Sequence, residues 1–306
     1  MQHYENKTLP PVKRENWNHP ARYRVSPGLA DAFNVALELS LPLILTGEAG
    51  TGKTQFAHHV ADRFGMGPAL VFNAKTTSVA TDLFYRYQAV KHFQYIQSKR
   101  EQEKALKNTG DFIEYQALGL AIRNAQEKGT RSVVLIDEID KAPRDFPNDI
   151  LNELEGLRFD VPELETSFQA PQELRPVIIL TSNSEKNLPA PFLRRCVFYN
   201  IDFPDEKELY EIIRLKLGAE EMEQGRLNRL IEEFDAIRKV AAQANTKKPA
   251  TAELISWLAV LQQLDFDVDT LGTPGVDKKT LMQSYTVLAK SDELRQALKK
   301  RIDDWG

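Results

Sequence analysis

The stretch GEAGTGKT at residues 47–54 constrains the fold of this chain more than any other. It fits the pattern G-x-x-x-x-G-K-S/T and follows an apolar run at 41–45 that is predicted to be a buried strand. Glycines let the backbone wind around an anion so that successive N–H groups point inward, and the following helix presents the positive end of its dipole. The stretch therefore predicts a phosphate-binding loop. Its candidate ligand-binding residues are Gly47, Glu48, Ala49, Gly50, Thr51, Gly52, Lys53, Thr54 and Gln55.

Two residues of this loop have predicted roles toward a bound nucleotide. Lys53 is placed for the β- and γ-phosphates, and Thr54 offers its hydroxyl to Mg²⁺. A simple glycine-rich turn between a strand and a helix is the alternative interpretation. The predicted strand before the loop and the apolar helix after it favour nucleotide binding, because all the fixed positions of the pattern occur in that context.

A second motif, VVLIDE at residues 133–138, ends in two carboxylates. Its four apolar residues are too few for a helix and rich in β-branching, which predicts a strand buried on both faces of a parallel sheet. Adjacent carboxylates at the end of such a strand are costly unless a cation or a reacting group uses them. Ligands of open α/β sheets bind at the carboxyl ends of the strands. Together with Lys53, Asp137 and Glu138 predict a Mg²⁺ site rather than a solvated turn.

Further polar residues follow the next predicted strands. The apolar run 177–180 leads to Asn183, which is therefore expected at the same edge of the sheet. Arg194 and Arg195 precede a fifth predicted strand at 197–201. Between these motifs, the segment 159–175 is predicted to be a β-hairpin, whereas 79–107 is predicted to be helical.

The bulk properties exclude few classes of protein. A net charge of −4 over 306 residues gives no global reason to expect nucleic acid or an anionic membrane as the main partner. No 18 apolar residues run together, so no membrane span is expected. The single cysteine, Cys196, cannot form an intrachain disulfide, which favours a reducing, cytoplasmic location. Beyond residue 203 only amphipathic helical patterns occur.

In this order and spacing, GEAGTGKT, VVLIDEID, ILTSN and FLRRC resemble the AAA+ ATPases. Within that family, PLILTGEAGTGKT, the run DEIDKAPRDFPNDILNELE and the predicted hairpin are most similar to MoxR-like ATPases. The resemblance implies an α/β/α core around a five-stranded parallel sheet and a small all-helical lid domain. The corresponding boundaries are a polar lead-in at 1–22, the ATPase core at 23–203 and the lid at 204–306.

The resemblance also implies roles for single residues. Lys53 would contact the β- and γ-phosphates of ATP, Thr54 and Asp137 would hold Mg²⁺, and Glu138 would polarise the attacking water. Asn183 matches the sensor-1 position, which helps to orient that water. Arg195 aligns best with the arginine finger, which acts on the ATP of a neighbouring subunit, and Arg194 competes for that role.

One position departs from the family pattern. MoxR-like proteins usually carry a sensor-2 arginine near the start of a lid helix, and the corresponding stretch here, KKPATAE at residues 247–253, has none. Lys248 is the candidate substitute, although a lysine lacks the fork geometry of arginine. Coupling of hydrolysis to lid motion is therefore open.

The function expected from this resemblance is Mg²⁺-dependent ATP hydrolysis in a homo-oligomeric, hexameric ring that remodels or activates a partner protein. MoxR-like proteins often work with von Willebrand A domain proteins, so such a protein is the implied client. Two alternatives stay open. One is an assembly switch in which ATP sets the oligomeric state and hydrolysis is slow. The other is a motor acting on nucleic acid, which the acidic composition disfavours.

Overall fold

The computed structural model describes residues 17–98, 108–183, 188–218 and 223–305. These residues form two compact units. We call residues 25–47 and 53–201 the sheet unit, and residues 17–24, 48–52 and 202–305 the helical unit. Within the described ranges, no helix combines the length and apolarity needed to cross a membrane.

The sheet unit is built on five parallel strands in the order β2-β5-β8-β1-β9. The strands are β1 (Leu43–Thr46), β2 (Leu70–Asn73), β5 (Val133–Asp137), β8 (Val177–Thr181) and β9 (Val197–Asn200). Two antiparallel pairs add β3 (Tyr85–Tyr87) with β4 (Ile113–Tyr115), and β6 (Arg158–Val161) with β7 (Thr166–Gln169). The second pair occupies the segment for which the sequence predicts a hairpin.

Helices cover the sheet on both faces. Every residue of β1 and β8 is buried, and successive residues of a strand point to opposite faces, so both faces are shielded from solvent. This burial explains why the central strands read as continuous apolar runs. The helices of the unit are α1 (Pro27–Leu39), α2 (Lys53–Arg63), α3 (Ala89–Ser98), α4 (Ala117–Lys128), α5 (Phe146–Gly156) and α6 (Ala190–Leu193).

The helical unit contains α7 (Glu206–Leu217), α8 (Gln224–Gln243), α9 (Thr251–Gln263), α10 (Lys278–Ser284) and α11 (Asp292–Asp303). Its core surrounds the fully buried rings of Phe234, Trp257 and Tyr285. The Trp257 indole donates to Ser284 Oγ at 2.9 Å, which satisfies the only polar group of that side chain. The helices predicted from the amphipathic patterns beyond residue 203 are confirmed.

The helix predicted for 79–107 is wrong over its first part. A short 3-10 turn, Ala80–Leu83, leads instead into β3, and α3 begins only at Ala89; residues 99–107 lie outside the described ranges. The aromatic composition of Tyr85–Tyr87 suits a strand that pairs with β4. The backbone is held close to α4 as well, because Gln116 N donates to the Phe84 carbonyl at 2.8 Å.

That close approach depends on Gly119, because a Cβ atom there would lie 2.0 Å from the Phe84 carbonyl oxygen. We expect Gly119→Ala to destabilise the protein by about 1–3 kcal/mol, since backbone must move to admit the methyl group. Gly156→Ala is the matched control, because a Cβ atom at this helical glycine meets nothing within 4 Å. Urea unfolding followed by circular dichroism measures both variants. Equal midpoints for the two would contradict the prediction.

Candidate nucleotide-binding site

The loop between β1 and α2 carries the predicted phosphate-binding residues. Gly47, Gly50 and Gly52 have φ angles of 135°, 84° and 94°, values that side-chain-bearing residues rarely adopt. These glycines allow the chain to reverse between the strand and the helix. Of the other candidates, Glu48, Ala49 and Thr54 are exposed, whereas Thr51 and Gln55 are half-buried.

Lys53 is the one candidate of the loop that is buried, with 6% of its surface exposed. Its Nζ donates to the Gly47 carbonyl at 2.8 Å. Burial lowers the pKa of Lys53, whereas the nearby carboxylates of Asp140, Asp137 and Glu138 act in the opposite direction. A desolvated cation that faces three acids is therefore held at the start of α2.

Asp137 ends β5 at the carboxyl edge of the sheet, next to the end of β8. Thr54 Oγ1 donates to Asp137 Oδ1 at 2.9 Å, and Thr181 Oγ1 donates to the same oxygen at 2.5 Å. Thr181 is 1% exposed and also accepts the backbone N–H of Glu138 at 2.9 Å. One buried hydroxyl thus holds the Asp137 carboxylate and the backbone of Glu138.

Sequence reasoning missed Thr181, although the parallel register contains the signal. Ile136 pairs with Leu180, so the next residues along the two strands, Asp137 and Thr181, are neighbours at the sheet edge. A threonine at that point can donate to a carboxylate and accept from a backbone N–H at once.

Glu138 turns the chain away from the strand. Its backbone is left-handed, with φ 54° and ψ 48°, a conformation that costs energy for a residue with a side chain. Its carboxylate forms an ion pair with Lys141 within the following 3-10 turn, and both side chains are well exposed. The hydrogen bond to Glu138 raises the pKa of Lys141. The carboxylate is therefore engaged by a cation at the surface.

Asn183 lies beside this turn. Its backbone N–H donates to Asp140 Oδ1 at 3.2 Å, and its side chain is exposed. Asp140 therefore links the end of β8 to the turn after β5 and also contributes to the field around Lys53. The sequence analysis did not predict Asp140 as a site residue. Its place in the acidic run DEID, three residues after Asp137, could have indicated it.

Arg194 and Arg195 follow α6, and both are exposed. Arg195 forms an ion pair with Glu155 at 3.2 Å, with exposures of 46% and 57%. Within the described residues, neither arginine forms an ion pair or hydrogen bond with Asp137 or Glu138. The adjacent Cys196 is partly buried, and desolvation raises the pKa of its thiol to about 12.

In the helical unit, Arg238 of α8 contacts the loop residue Glu48. Arg238 Nη2 lies 3.1 Å from Glu48 Oε2, and only 11% of the arginine side chain is exposed. The guanidinium also donates to the Pro249 carbonyl and lies over the Phe203 ring, 3.4 Å from its centre. Lys248, the predicted substitute for the missing arginine, is exposed and has no hydrogen bond or ion pair within the described residues.

The match to a family model agrees with this geometry. A family model described as AAA domain, dynein-related subfamily, matches residues 42–196, slightly more than half of the chain. Domain III of the replication initiation protein DnaA from Thermotoga maritima is a similar solved structure, with 16% sequence identity and a TM-score of 0.46. The alignment covers 92% of this chain and 100% of that one. No curated protein matches the sequence.

Proposed function

The chain belongs to the dynein-related subfamily of AAA domains, and on this premise we propose that it is an oligomeric, Mg²⁺-dependent ATPase that remodels or activates a partner protein. One observation carries the chemical part of the proposal. Thr181 bonds the side chain of Asp137 and the backbone of Glu138, so the Asp137 carboxylate and the main chain of Glu138 are held at the sheet edge. At the start of α2, Lys53 lies in the field of both acids and Thr54 bonds Asp137.

The oxygen donors at this edge fit Mg²⁺. The Thr54 hydroxyl and the Asp137 carboxylate are in direct contact, and both are hard ligands of the kind that Mg²⁺ prefers. Within the described residues, no group of three His, Cys, Asp or Glu side chains is arranged to hold a metal alone. Thr54 and Asp137 would therefore hold the ion together with substrate phosphates. When bound, Mg²⁺ neutralises charge that develops on the transferred phosphoryl group.

The remaining steps fall to the side chains of the chain itself. Lys53, already desolvated, exchanges its contact with the Gly47 carbonyl for the phosphates of ATP. Glu138 accepts a hydrogen bond from the attacking water and orients it toward the γ-phosphate, which requires its carboxylate to leave Lys141. Asn183 is proposed to hold the same water from the end of β8.

We assign the arginine finger to Arg195, acting on the ATP of a neighbouring copy in a hexameric ring. Its exposure leaves it available to a second subunit. The pair with Glu155 is a surface ion pair worth about 0–1 kcal/mol, so releasing Arg195 costs little. Arg194 is the alternative finger, since it is exposed at the adjacent position.

A concentration series tests the shared site. We expect the ATPase activity per molecule to rise with protein concentration and then level off as rings form, because one subunit alone lacks the finger. Phosphate release at constant ATP and Mg²⁺ gives the rate, and Lys53→Ala sets the background at each concentration. Constant activity per molecule across the series would contradict an intersubunit site.

The finer assignment is a MoxR-like ATPase. It rests on the resemblance of the motifs around the two acids, and a von Willebrand A domain protein is the client that this resemblance implies. The single cysteine suits a reducing compartment, and we propose the cytoplasm.

One observation favours a second candidate, an ATP-dependent assembly switch with slow hydrolysis. Lys141 engages the Glu138 carboxylate, which the hydrolytic role requires to be available. Turnover measured with and without a candidate client separates the two functions. A remodelling enzyme is stimulated by its client, whereas a switch stays slow.

A further inference from the structure

A basic groove lies in the helical unit between α10 and α11. Its volume is about 380 Å³. Four cationic side chains form its walls and two apolar side chains lie between them: Lys278, Lys279, Arg295, Lys299, Met282 and Ile302. Ile302 is almost fully buried, whereas Lys279, Arg295 and Lys299 are exposed. The groove therefore combines an apolar floor with a cationic rim.

The charge of this groove differs from that of the chain. The chain carries a net charge of −4, whereas only one of the nine residues that line the groove, Asp303, is acidic. Asp303 lies 4.0 Å from Lys278. Within the described residues, Lys279, Arg295 and Lys299 form no ion pair. Positive charge is thus concentrated at one place, with Asp303 beside Lys278 and Asp277 beside Lys279 as the acids that partly compensate it.

The fold does not require these cations. Helix α11 contributes Leu294, Leu298 and Ile302 to the core, so its packing is provided by other positions. Arg295 and Lys299 are four residues apart on the helix surface, where like charges repel and destabilise a helix. Arg301 of the same helix shows the contrast, because it is paired internally with the buried Glu233 at 2.6 Å. An anionic ligand would remove the repulsion between the unpaired cations.

We propose that this groove binds an acidic peptide segment of a partner protein, with its aliphatic side chains packed against the partly exposed Met282. Carboxylates complement the four cations, and a flexible methionine accommodates aliphatic groups of varied shape. Gln283 and Thr286, which also line the groove, offer hydrogen bonds to a peptide backbone. None of the nine lining residues is aromatic, so the groove lacks the stacking platform that binds single-stranded nucleic acid.

Fluorescence anisotropy with the full chain, without nucleotide, tests this proposal. The probe is a fluorescein-labelled peptide of glutamate and leucine; a lysine–leucine peptide and a glutamate–serine peptide are its controls. We expect the glutamate–leucine peptide to bind most tightly of the three. Its affinity should fall as the salt concentration is raised. We expect Arg295→Glu and Lys299→Glu each to weaken binding about tenfold, since each reverses a charge in the groove.

The variants are chosen so that a loss of peptide binding can be distinguished from unfolding of α11. Arg295→Glu places a glutamate four residues before Lys299, an arrangement that stabilises a helix, so loss of binding cannot be ascribed to unfolding of α11. Lys290→Glu is the matched control, because it makes the same charge change at an exposed position outside the groove.

Several outcomes would overturn the proposal. They are an equal loss of binding in Lys290→Glu, unchanged binding in Arg295→Glu, and tighter competition by single-stranded DNA or by vesicles containing phosphatidylserine. The peptide assay contains no nucleotide, so its failure would not contradict the proposed ATPase activity. Likewise, a lack of ATPase activity would not contradict the proposed peptide site.

Discussion

Replacing Glu138 by glutamine should leave ATP binding intact and lower the rate of hydrolysis by about a thousandfold, the scale of a lost general base. Glutamine keeps the length of the side chain and the backbone N–H that Thr181 accepts, but it can no longer take a proton or polarise water. Binding of a fluorescent ATP analogue and release of phosphate measure the two quantities separately.

The matched control for this substitution is Glu38→Gln. Glu38 is exposed on α1, away from the sheet edge, so the same change of carboxylate to amide should leave turnover at its original rate. Turnover of Glu138→Gln at the original rate would rule out the assigned role. If the variant behaves as expected, it should remain in the ATP-bound state and retain the client in a pull-down, which provides a route to the partner protein.

Arg195→Ala should lower hydrolysis by about 10³-fold or more, the effect of removing an arginine finger. Arg194→Ala is the natural control, since the two side chains are adjacent, exposed and equally charged. We expect it to change the rate only a few-fold. The reverse result would assign the finger to Arg194, and two small effects would remove the finger from this pair.

Mixing two inactive variants then tests whether the finger acts between subunits. A Lys53→Ala subunit cannot use its own site but still carries Arg195, whereas an Arg195→Ala subunit has a complete loop and lacks the finger. In a mixed ring the first completes the site of the second, so activity should return. No recovery in a mixture that co-assembles by size-exclusion chromatography would place the finger on its own subunit's nucleotide.

The fold could be predicted from the sequence where a strand is buried on both faces of the sheet. β1, β5 and β8 are covered on both faces and therefore appear as apolar runs, and each of them ends in a polar residue at the carboxyl edge of the sheet: Thr46, Asp137 and Thr181. The loop pattern predicts Lys53 and Thr54, and the end of the β5 run predicts Asp137; the structure brings the three together.

Contacts that depend on distant residues left no local pattern. Arg238 lies 190 residues from Glu48, and nothing in the helical pattern of α8 distinguishes it from the exposed arginines of that helix, Arg226 and Arg229. The strand pair β3–β4 was missed because Leu83, Phe84 and Tyr87 also match a helical spacing, and the deciding contact is the approach of the Phe84 carbonyl to Gly119 on another element. At β3 the tertiary contact overrode the local helical pattern.

Cys196 has a practical consequence for experiments on this chain. A thiol with a pKa of about 12 is almost entirely protonated at neutral pH, so it reacts slowly with maleimides and oxidants. Since no other cysteine is present, a cysteine introduced on an exposed surface would be the dominant reactive thiol without any prior removal of the native one. A single spectroscopic probe could therefore be attached at Phe93, an exposed residue of α3, while the residue beside Arg195 stays in its native form.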